Sequence, residues 1–143
     1  MRNKTVLTFL VMLWILLCIA ISNIFGRDIP ITGKASWYGP KFHSKKTANG
    51  EIYNQNDLTA ASNYLPFNTI VRVVRITNGN SVDVRINDRG PFICKEKIDN
   101  KCTKWEKHPT RIIDLSKAAM MQLDPTLKLG VIEVRLIWKE EKN

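Results

Sequence analysis

The stretch that decides the fold is residues 70–91, which read IVRVVRITNGNSVDVRINDRGP. Residues 70–76 are rich in β-branched side chains, and residues 81–87 alternate strictly, with Val82, Val84 and Ile86 on one face. The intervening residues 77–80 (TNGN) contain Asn-Gly, the strongest short-range signal for a hairpin turn. The stretch therefore predicts an antiparallel β-hairpin with one buried face.

The rest of the chain after about residue 30 also reads as short strands. Residues 131–138 alternate, and residues 33–38 and 58–62 are further strand candidates. A single short helix is predicted over residues 116–123, with Ser116 as its N-cap and Asp124-Pro125 as its stop. Many short strands with one helix are typical of a closed or nearly closed β-barrel. The 143 residues suffice for one such domain with a real core.

The charge of the chain restricts its partners. The formal net charge is +9, which suits an acidic polymer such as nucleic acid, anionic lipid or anionic wall glycan. The basic residues are scattered rather than clustered, and this pattern argues against nucleic acid.

The amino-terminal segment is typical of an exported protein. Arg2 and Lys4 precede an apolar run over residues 6–21, the order of an export signal. We predict that residues 1–25 form either a signal peptide cut before Asn23 or an uncleaved membrane anchor. Lipidation at Cys18 is a third option, although Leu17 stands where a lipoprotein signal prefers a small residue.

Two cysteines remain beyond that segment, Cys94 and Cys102, in a polar stretch. In an oxidising compartment they can close a short disulfide loop; two unpaired thiols are the alternative. Together with His108 they are too irregularly spaced for a zinc motif, and the chain has no Cys-x-x-Cys. No metal site is therefore expected.

Four segments of the sequence are candidates for a functional site. The first carries aromatic residues and the second carries an Asn-Gly turn. Residues 35–39 (ASWYG), followed by Phe42 and His43, place adjacent aromatic side chains at the end of a strand. Such rings form either core or a groove that packs on the C–H face of a sugar. Residues 47–51 (TANGE) carry Glu51 just after an Asn-Gly turn, either as a solvated side chain or as a loop carboxylate of a site.

The other two segments each carry an aspartate at an element boundary. Asp88, in residues 87–91 (NDRGP), ends the alternating strand, where Arg89 could pair with it or with another acid. Asp114, in residues 112–116 (IIDLS), precedes the predicted helix. It either caps that helix through its side chain or is a partly buried acid with a raised pKa, as a proton donor to a glycosidic oxygen needs.

These segments occur in one fixed order over residues 33–137, together with Thr59-Ala60-Ala61, Leu65-Pro66 and Asn78-Gly79. The combination resembles the rare lipoprotein A (RlpA) family of septal-ring lytic transglycosylases. The resemblance implies a mainly β fold, a six-stranded double-psi β-barrel with one or two short helices over residues 31–139. The hydrophobic segment 1–25 would precede it.

The resemblance also implies an activity. The substrate would be peptidoglycan glycan strands, preferably without stem peptides. The N-acetylmuramic acid–N-acetylglucosamine bond would be cleaved without water or a cofactor, leaving a 1,6-anhydro end. The family motifs match Asp88, Asp114 and Glu51 as candidate catalytic acids. We expect the substrate groove to be lined by Trp37, Tyr38, Phe42, His43, Thr47, Asn49, Asn87 and Arg89. The location would be the bacterial periplasm or cell envelope, with division or wall proteins as further partners.

Two departures from the family pattern affect these expectations. The family usually has Thr-Ala-Ala-His, whereas this chain has Ser62 at the histidine position, and serine does not titrate near neutral pH. We expect Ser62 to face the groove within reach of Asp88. Residues 93–110 form an insertion loop beside the expected site, which either gates the groove, binds a partner or has no role.

Two functions stay open on the sequence. The first is an active endolytic lytic transglycosylase. The alternative is a catalytically weak or inactive peptidoglycan-binding module for cell division or wall remodelling, an interpretation that depends mainly on Ser62. An expansin-like protein that loosens the wall without cleaving bonds is a third, weaker option.

Overall fold

The structure is a computed structural model that describes residues 4–24 and 30–138. Two compact units are present, one of them Pro30–Trp138 and the other containing the first helix. The elements in chain order are α1 (Lys4–Ile24), β1 (Ile31–Trp37), a 3-10 helix (Pro40–Phe42), β2 (Thr59–Ala61), β3 (Ile70–Arg75), β4 (Ser81–Asp88), β5 (Phe92–Ile98), β6 (Lys101–Lys107), β7 (Arg111–Leu115), α2 (Lys117–Leu123) and β8 (Val131–Ile137).

Six of the eight strands close into a barrel in the order β1-β7-β2-β4-β3-β8. The predicted hairpin is confirmed as the antiparallel pair of β3 and β4, in which Val71 faces Val84 and Val73 faces Val82. Gly79 has a φ of 75° in the connecting turn, which a glycine adopts without strain. The pairs β1–β7 and β2–β4 are parallel and the other pairs are antiparallel.

The barrel interior is the hydrophobic core, and alternation along the strands builds it. Val82, Val84 and Ile86 of β4 are buried as predicted, while Asp83 and Arg85 face outward. The alternation predicted for residues 131–138 is likewise confirmed, because Ile132, Val134 and Leu136 of β8 are buried and Trp138 packs against the core. Met120 and Leu123 of α2 add to this core.

Helix α2 begins as the sequence predicts. The Ser116 side chain accepts a hydrogen bond from the Ala119 amide (3.1 Å) and so caps the helix. The helix ends at Leu123, and the Asp124 amide still donates to the Met120 carbonyl (2.8 Å). Asp114 is therefore not the cap of this helix.

The insertion after β4 is a β-hairpin rather than a loop. Strands β5 and β6 form a separate two-stranded sheet, and a bond between Cys94 and Cys102 joins them, with Cα atoms 5.7 Å apart. The turn residues Asp99 and Asn100 have φ of 49° and 61°, values that these two residue types tolerate in two-residue hairpin turns. The expectation of a loop over residues 93–110 is thus wrong, because both faces of the hairpin are largely exposed and leave no apolar alternation to detect.

Helix α1 covers most of the segment predicted to be a signal or anchor. Within the described residues, no helix combines the length and apolar character that crossing a membrane requires. Residues 1–3 and 25 of that segment, and Lys139 of the predicted domain, lie outside the described residues.

Candidate active site

Strand register brings the two aspartates to one row of the barrel. Ser36 of β1 pairs with Asp114 of β7, Asp114 pairs with Ala61 of β2, and Ala61 pairs with Asp88 of β4. The two carboxylates therefore lie on the strands that flank β2, about 10 Å apart at their Cα atoms given the usual strand spacing. Two aspartates 26 positions apart in sequence become neighbours because β2 inserts between their strands.

The Asp114 carboxylate is partly buried, with a side chain that is 19% exposed. The Ser36 hydroxyl donates to its Oδ1 atom, and Arg111 Nη1 lies 4.0 Å from that atom while donating to Ser36 Oγ (2.9 Å). Burial raises the pKa of Asp114, against the opposing effects of the Ser36 hydrogen bond and the Arg111 charge. A carboxyl group in this environment is suited to giving up a proton in a reaction.

Three hydrogen bonds hold the Asp88 carboxylate. Its Oδ1 atom accepts from the Ala48 amide (2.9 Å) and the Arg89 amide (2.8 Å). Its Oδ2 atom accepts from the Tyr38 hydroxyl (2.9 Å). The pKa of Tyr38 is raised, first by burial and then by the Asp88 charge, so the phenol stays protonated as a donor. Asp88 is thereby held by its own neighbour Arg89 and by two other segments of the chain.

Glu51 sits in a different environment, which does not suit a proton donor. Arg85 donates to both carboxylate oxygens (2.7 and 2.8 Å), and Asn49 and Asn87 donate one bond each (3.0 and 3.1 Å). The Arg85 and Asn87 hydrogen bonds lower the pKa of Glu51 to about 2. This ion pair anchors the turn that carries Ala48, so Glu51 acts on Asp88 through the backbone.

Three residues expected to contact substrate belong to the same internal network. The Thr47 hydroxyl donates to Asn49 Oδ1 (2.7 Å), and the Asn49 amide donates to the Asn87 carbonyl (3.3 Å). Thr47 and Asn87 are buried, at 7% and 4% exposure. The expectation that Thr47 and Asn87 line an open groove is wrong, because both are buried and their polar groups form hydrogen bonds within the turn.

Arg89 also has an internal role in place of the expected pairing with a carboxylate. Its Nη1 atom donates to the carbonyls of Ser62 (3.1 Å) and Leu65 (3.2 Å). Its guanidinium stacks on the Phe67 ring at 3.6 Å from the centroid. The side chain ties the segment after β2 to the end of β4, next to Asp88.

Ser62 is fully buried, so the expectation that it faces the groove is wrong. Its hydroxyl donates to the Ile112 carbonyl (3.2 Å) and accepts from the Tyr64 amide (3.2 Å). A serine is short enough to turn inward and satisfy these backbone groups. Its inability to titrate therefore says little about activity.

The predicted aromatic residues divide between core and surface. Trp37 packs against the hydrophobic core, whereas Phe42 is 39% exposed and lies edge-on to Tyr38 at 5.7 Å between ring centroids. His43 is exposed, and its Nδ1 atom accepts from the Gln55 amide (3.2 Å). Of this group, Tyr38 contacts Asp88 directly, and Phe42 contacts Tyr38.

Ser36, Arg111 and His108 complete the surroundings of Asp114. His108 Nδ1 accepts from the amides of Thr110 (3.3 Å) and Arg111 (3.1 Å), which leaves the proton of the neutral ring on Nε2. Burial and the Arg111 charge lower the pKa of His108. Sequence reasoning assigned no role to Ser36 or Arg111; the spacing of Arg111 and Asp114, three positions apart, was the available signal.

The described part of the chain contains no group of three or more His, Cys, Asp or Glu side chains that could hold a metal ion. The side chains that the structure does bring together, two carboxyl groups with different hydrogen-bond partners, are suited to acid–base chemistry.

Comparisons with known proteins agree with this barrel. The family described as lytic transglycolase matches residues 31–136. The chain is 51% identical over 104 residues to the endolytic peptidoglycan transglycosylase RlpA of Campylobacter jejuni, covering 73% of this chain and 32% of the relative. It is 50% identical over 105 residues to the protein of the same name from Helicobacter pylori strain J99, covering 73% and 28%. The chain thus spans about a third of the length of these relatives.

Two solved structures share the fold. The Streptomyces papain inhibitor superposes with a TM-score of 0.55 at 22% identity, over 78% of this chain and 96% of the inhibitor. An expansin from Clavibacter michiganensis superposes with a TM-score of 0.53 at 15% identity, over 80% and 52%. The predicted six-stranded double-psi β-barrel is thereby confirmed, and the chain belongs to the lytic transglycolase family.

Proposed function

We propose that this chain cleaves peptidoglycan glycan strands as a lytic transglycosylase. Relatives about half identical to it are named endolytic peptidoglycan transglycosylases, and the match covers the barrel that carries both aspartates. The chain spans about a third of the length of those relatives. The proposal therefore depends on the geometry of the site and not on overall similarity alone.

The observation that carries the proposal is the pair of aspartates in unlike environments across Ala61. Asp114 is partly buried and its pKa is raised, whereas Asp88, at the end of β4, accepts three hydrogen bonds. Paired carboxyl groups whose environments differ in this way divide acid and base work between them. Partial burial, which raises its pKa, favours Asp114 as the proton donor.

The reaction needs a proton donor, a proton acceptor and no water. The bond between C1 of N-acetylmuramic acid and O4 of N-acetylglucosamine breaks, its electron pair stays on O4, and O4 takes the Asp114 proton. The C6 hydroxyl oxygen of the same muramic acid bonds to C1 and passes its proton to Asp88. The products are a 1,6-anhydro end and a free 4-hydroxyl end.

Digestion of denuded sacculi by the full chain, with mass analysis of the products, tests this proposal. Anhydro ends support it, reducing ends indicate a hydrolase, and retained pelleting without products indicates a binding module. Asp114→Asn and Asp88→Asn should each lower turnover by the roughly 10²–10⁴-fold typical of losing a general acid or base. Asp83→Asn, on the exposed face of the same strand as Asp88, is the matched control.

The pH dependence of the rate separates the two roles. Because the donor must be protonated, activity should fall as pH rises through the raised pKa of Asp114. The residual activity of Asp114→Asn should lack that alkaline limb, whereas the residual activity of Asp88→Asn should keep it. The opposite pattern would reverse the assignment.

The location in the cell is part of the same proposal. An enzyme of peptidoglycan works in the cell envelope, and residues 1–25 have the order of an export signal. Intact mass of the protein from a membrane and a periplasmic fraction separates cleavage before Asn23, retention of the segment and lipidation at Cys18. Recruitment by division proteins stays a prediction, which co-purification from dividing cells can test.

A further inference from the structure

The hairpin of β5 and β6 has one aromatic face. Phe92 lies opposite Lys107, and Cys94 lies opposite Trp105, so Phe92, Trp105 and Lys107 share a face because residues two apart point the same way. Trp105 is 62% exposed and Phe92 is 42% exposed. Lys107 Nζ lies 5.6 Å from the ring centroid of Tyr64, itself 47% exposed. Three exposed aromatic rings therefore adjoin one lysine.

The other face of the hairpin is different in kind. Glu106, which pairs with Ile93, lies 3.7 Å from both Lys95 and Lys104. Lys104 also lies 3.4 Å from Glu96. These charged side chains on the second face pair with one another. The aromatic face is therefore the one more available to bind a ligand.

The aromatic face is continuous with the candidate active site. A Cβ atom built on Gly90 would lie 3.6 Å from Asp114 Oδ2 and 3.8 Å from Phe92 Cδ2. The carboxyl group of Asp114 and the Phe92 ring thus border the same point of the backbone. From there the face runs along the hairpin to Trp105, about 7 Å further at two residues of strand rise.

We propose that this face is an additional glycan subsite, in which Phe92 and Trp105 pack on successive sugar rings and Lys107 binds a sugar carboxylate. The inference rests on the proposed function, because a polymeric substrate must continue beyond the bond that is cleaved and this face adjoins Asp114 at Gly90. Tyr64 forms the edge of the subsite.

Chemistry and rigidity both favour a glycan as the occupant. Aromatic faces pack on the apolar C–H faces of pyranose rings, and the lactyl group of muramic acid without a stem peptide carries a carboxylate that an ammonium group can bind. The hairpin has five lysines and three acids over residues 92–107, so its net charge complements an anionic strand. The bond between Cys94 and Cys102 holds the strands together, which limits the conformational entropy lost on binding.

The test compares long denuded glycan strands with fragments too short to reach from the cleaved bond to Trp105. With the full chain, Trp105→Ala should raise KM on long strands about tenfold, typical of losing one aromatic anchor. Its kcat, and both constants on short fragments, should stay unchanged. Trp105→Tyr keeps a ring and should restore most of the affinity. Ile98→Ala, at an exposed apolar position of the same hairpin, is the matched control.

Pelleting with denuded sacculi gives a readout that does not need turnover. If Trp105→Ala pellets as the parent does and its KM matches that of Ile98→Ala, the subsite is refuted whatever the activity of the parent. If the parent does not cleave but Trp105→Ala pellets less, the proposed function fails and the subsite stands. Lys107→Gln should weaken binding to denuded strands more than to strands that keep their stem peptides; equal weakening would overturn the carboxylate contact.

Discussion

Replacing Glu51 by glutamine tests whether this residue positions the site or takes part in the chemistry. The carboxylate accepts two hydrogen bonds from Arg85 and one each from Asn49 and Asn87. Glutamine keeps one oxygen that accepts hydrogen bonds. It replaces the other oxygen by an amide NH2 group, which would face the hydrogen-bond donors around it. The ion pair that holds the turn over Asp88 is therefore lost without a change in side-chain size.

The cost to stability can be bounded from the same contacts. A pKa lowered from 4.5 to about 2 corresponds to at most about 3 kcal/mol at about 1.4 kcal/mol per pH unit. Glu51 and Arg85 are 41% and 34% exposed, so solvent screening reduces this to about 1–2 kcal/mol. For a barrel of this size we expect the melting temperature of Glu51→Gln to fall by about 5–10 °C.

The pH dependence of that loss has a defined sign. Because the folded-state pKa of Glu51 is lowered, its stabilisation is complete above the usual pKa of 4.5 and disappears as pH falls toward 2. Urea titrations should show a gap between the parent and Glu51→Gln that is constant near neutral pH and closes over that window.

Asp83→Asn provides a matched control on the same strand. Asp83 also forms a two-pronged ion pair, with Arg72 at 2.8 and 2.9 Å, but the two side chains are 49% and 58% exposed and hold no turn. We expect it to cost about 0.5 kcal/mol or less. In the lytic assay, Glu51→Gln should lower kcat about tenfold or less and keep the parental pH profile. A loss above about 10³-fold with unchanged stability would show that Glu51 is a catalytic group and refute the positioning role.

Two further predictions concern packing and the hairpin. Gly33→Ala places a Cβ atom 2.8 Å from Cγ2 of Ile112 and should destabilise the barrel by about 1–3 kcal/mol in urea titrations. Gly39→Ala is the control, because a Cβ atom there has nothing within 4 Å. Equal destabilisation by the two substitutions would contradict the close contact with Ile112. Replacing Cys94 and Cys102 together by serine should speed amide exchange over residues 92–107 and leave the melting temperature of the barrel nearly unchanged, because no hairpin residue belongs to the described core. A large drop in that temperature would mean that the hairpin supports the barrel.

Local patterns in the sequence were sufficient for the elements that bury one face. The hairpin of β3 and β4, the strand β8 and the capped helix α2 all follow from alternation, an Asn-Gly turn and a serine cap, which are features of neighbouring residues. The hairpin of β5 and β6 was missed, since strands exposed on both faces carry no such periodicity. Its two-residue turn at Asp99 and Asn100 was the remaining signal.

The candidate site divides in the same way. The sequence alone identified Asp88, Asp114 and Glu51 as the acids to consider, because each stands in a motif at a turn or strand end. The hydrogen-bond partners that distinguish these acids lie far away in the chain. Arg85, for example, is 34 positions from Glu51. A residue type determines which chemistry is available, but burial and hydrogen-bond partners determine its pKa and its role.

Strand order was also beyond local reasoning. Only three residues, Thr59–Ala61, form β2, and no pattern within them shows that they pair with β4 on one side and β7 on the other. That pairing brings Asp88 and Asp114 together, and the burial of Ser62 just after β2 is likewise a property of the folded chain. The sequence by itself determined which residues can do the chemistry; the tertiary structure decided which of them meet, because strand pairing is a long-range contact that local propensities do not encode.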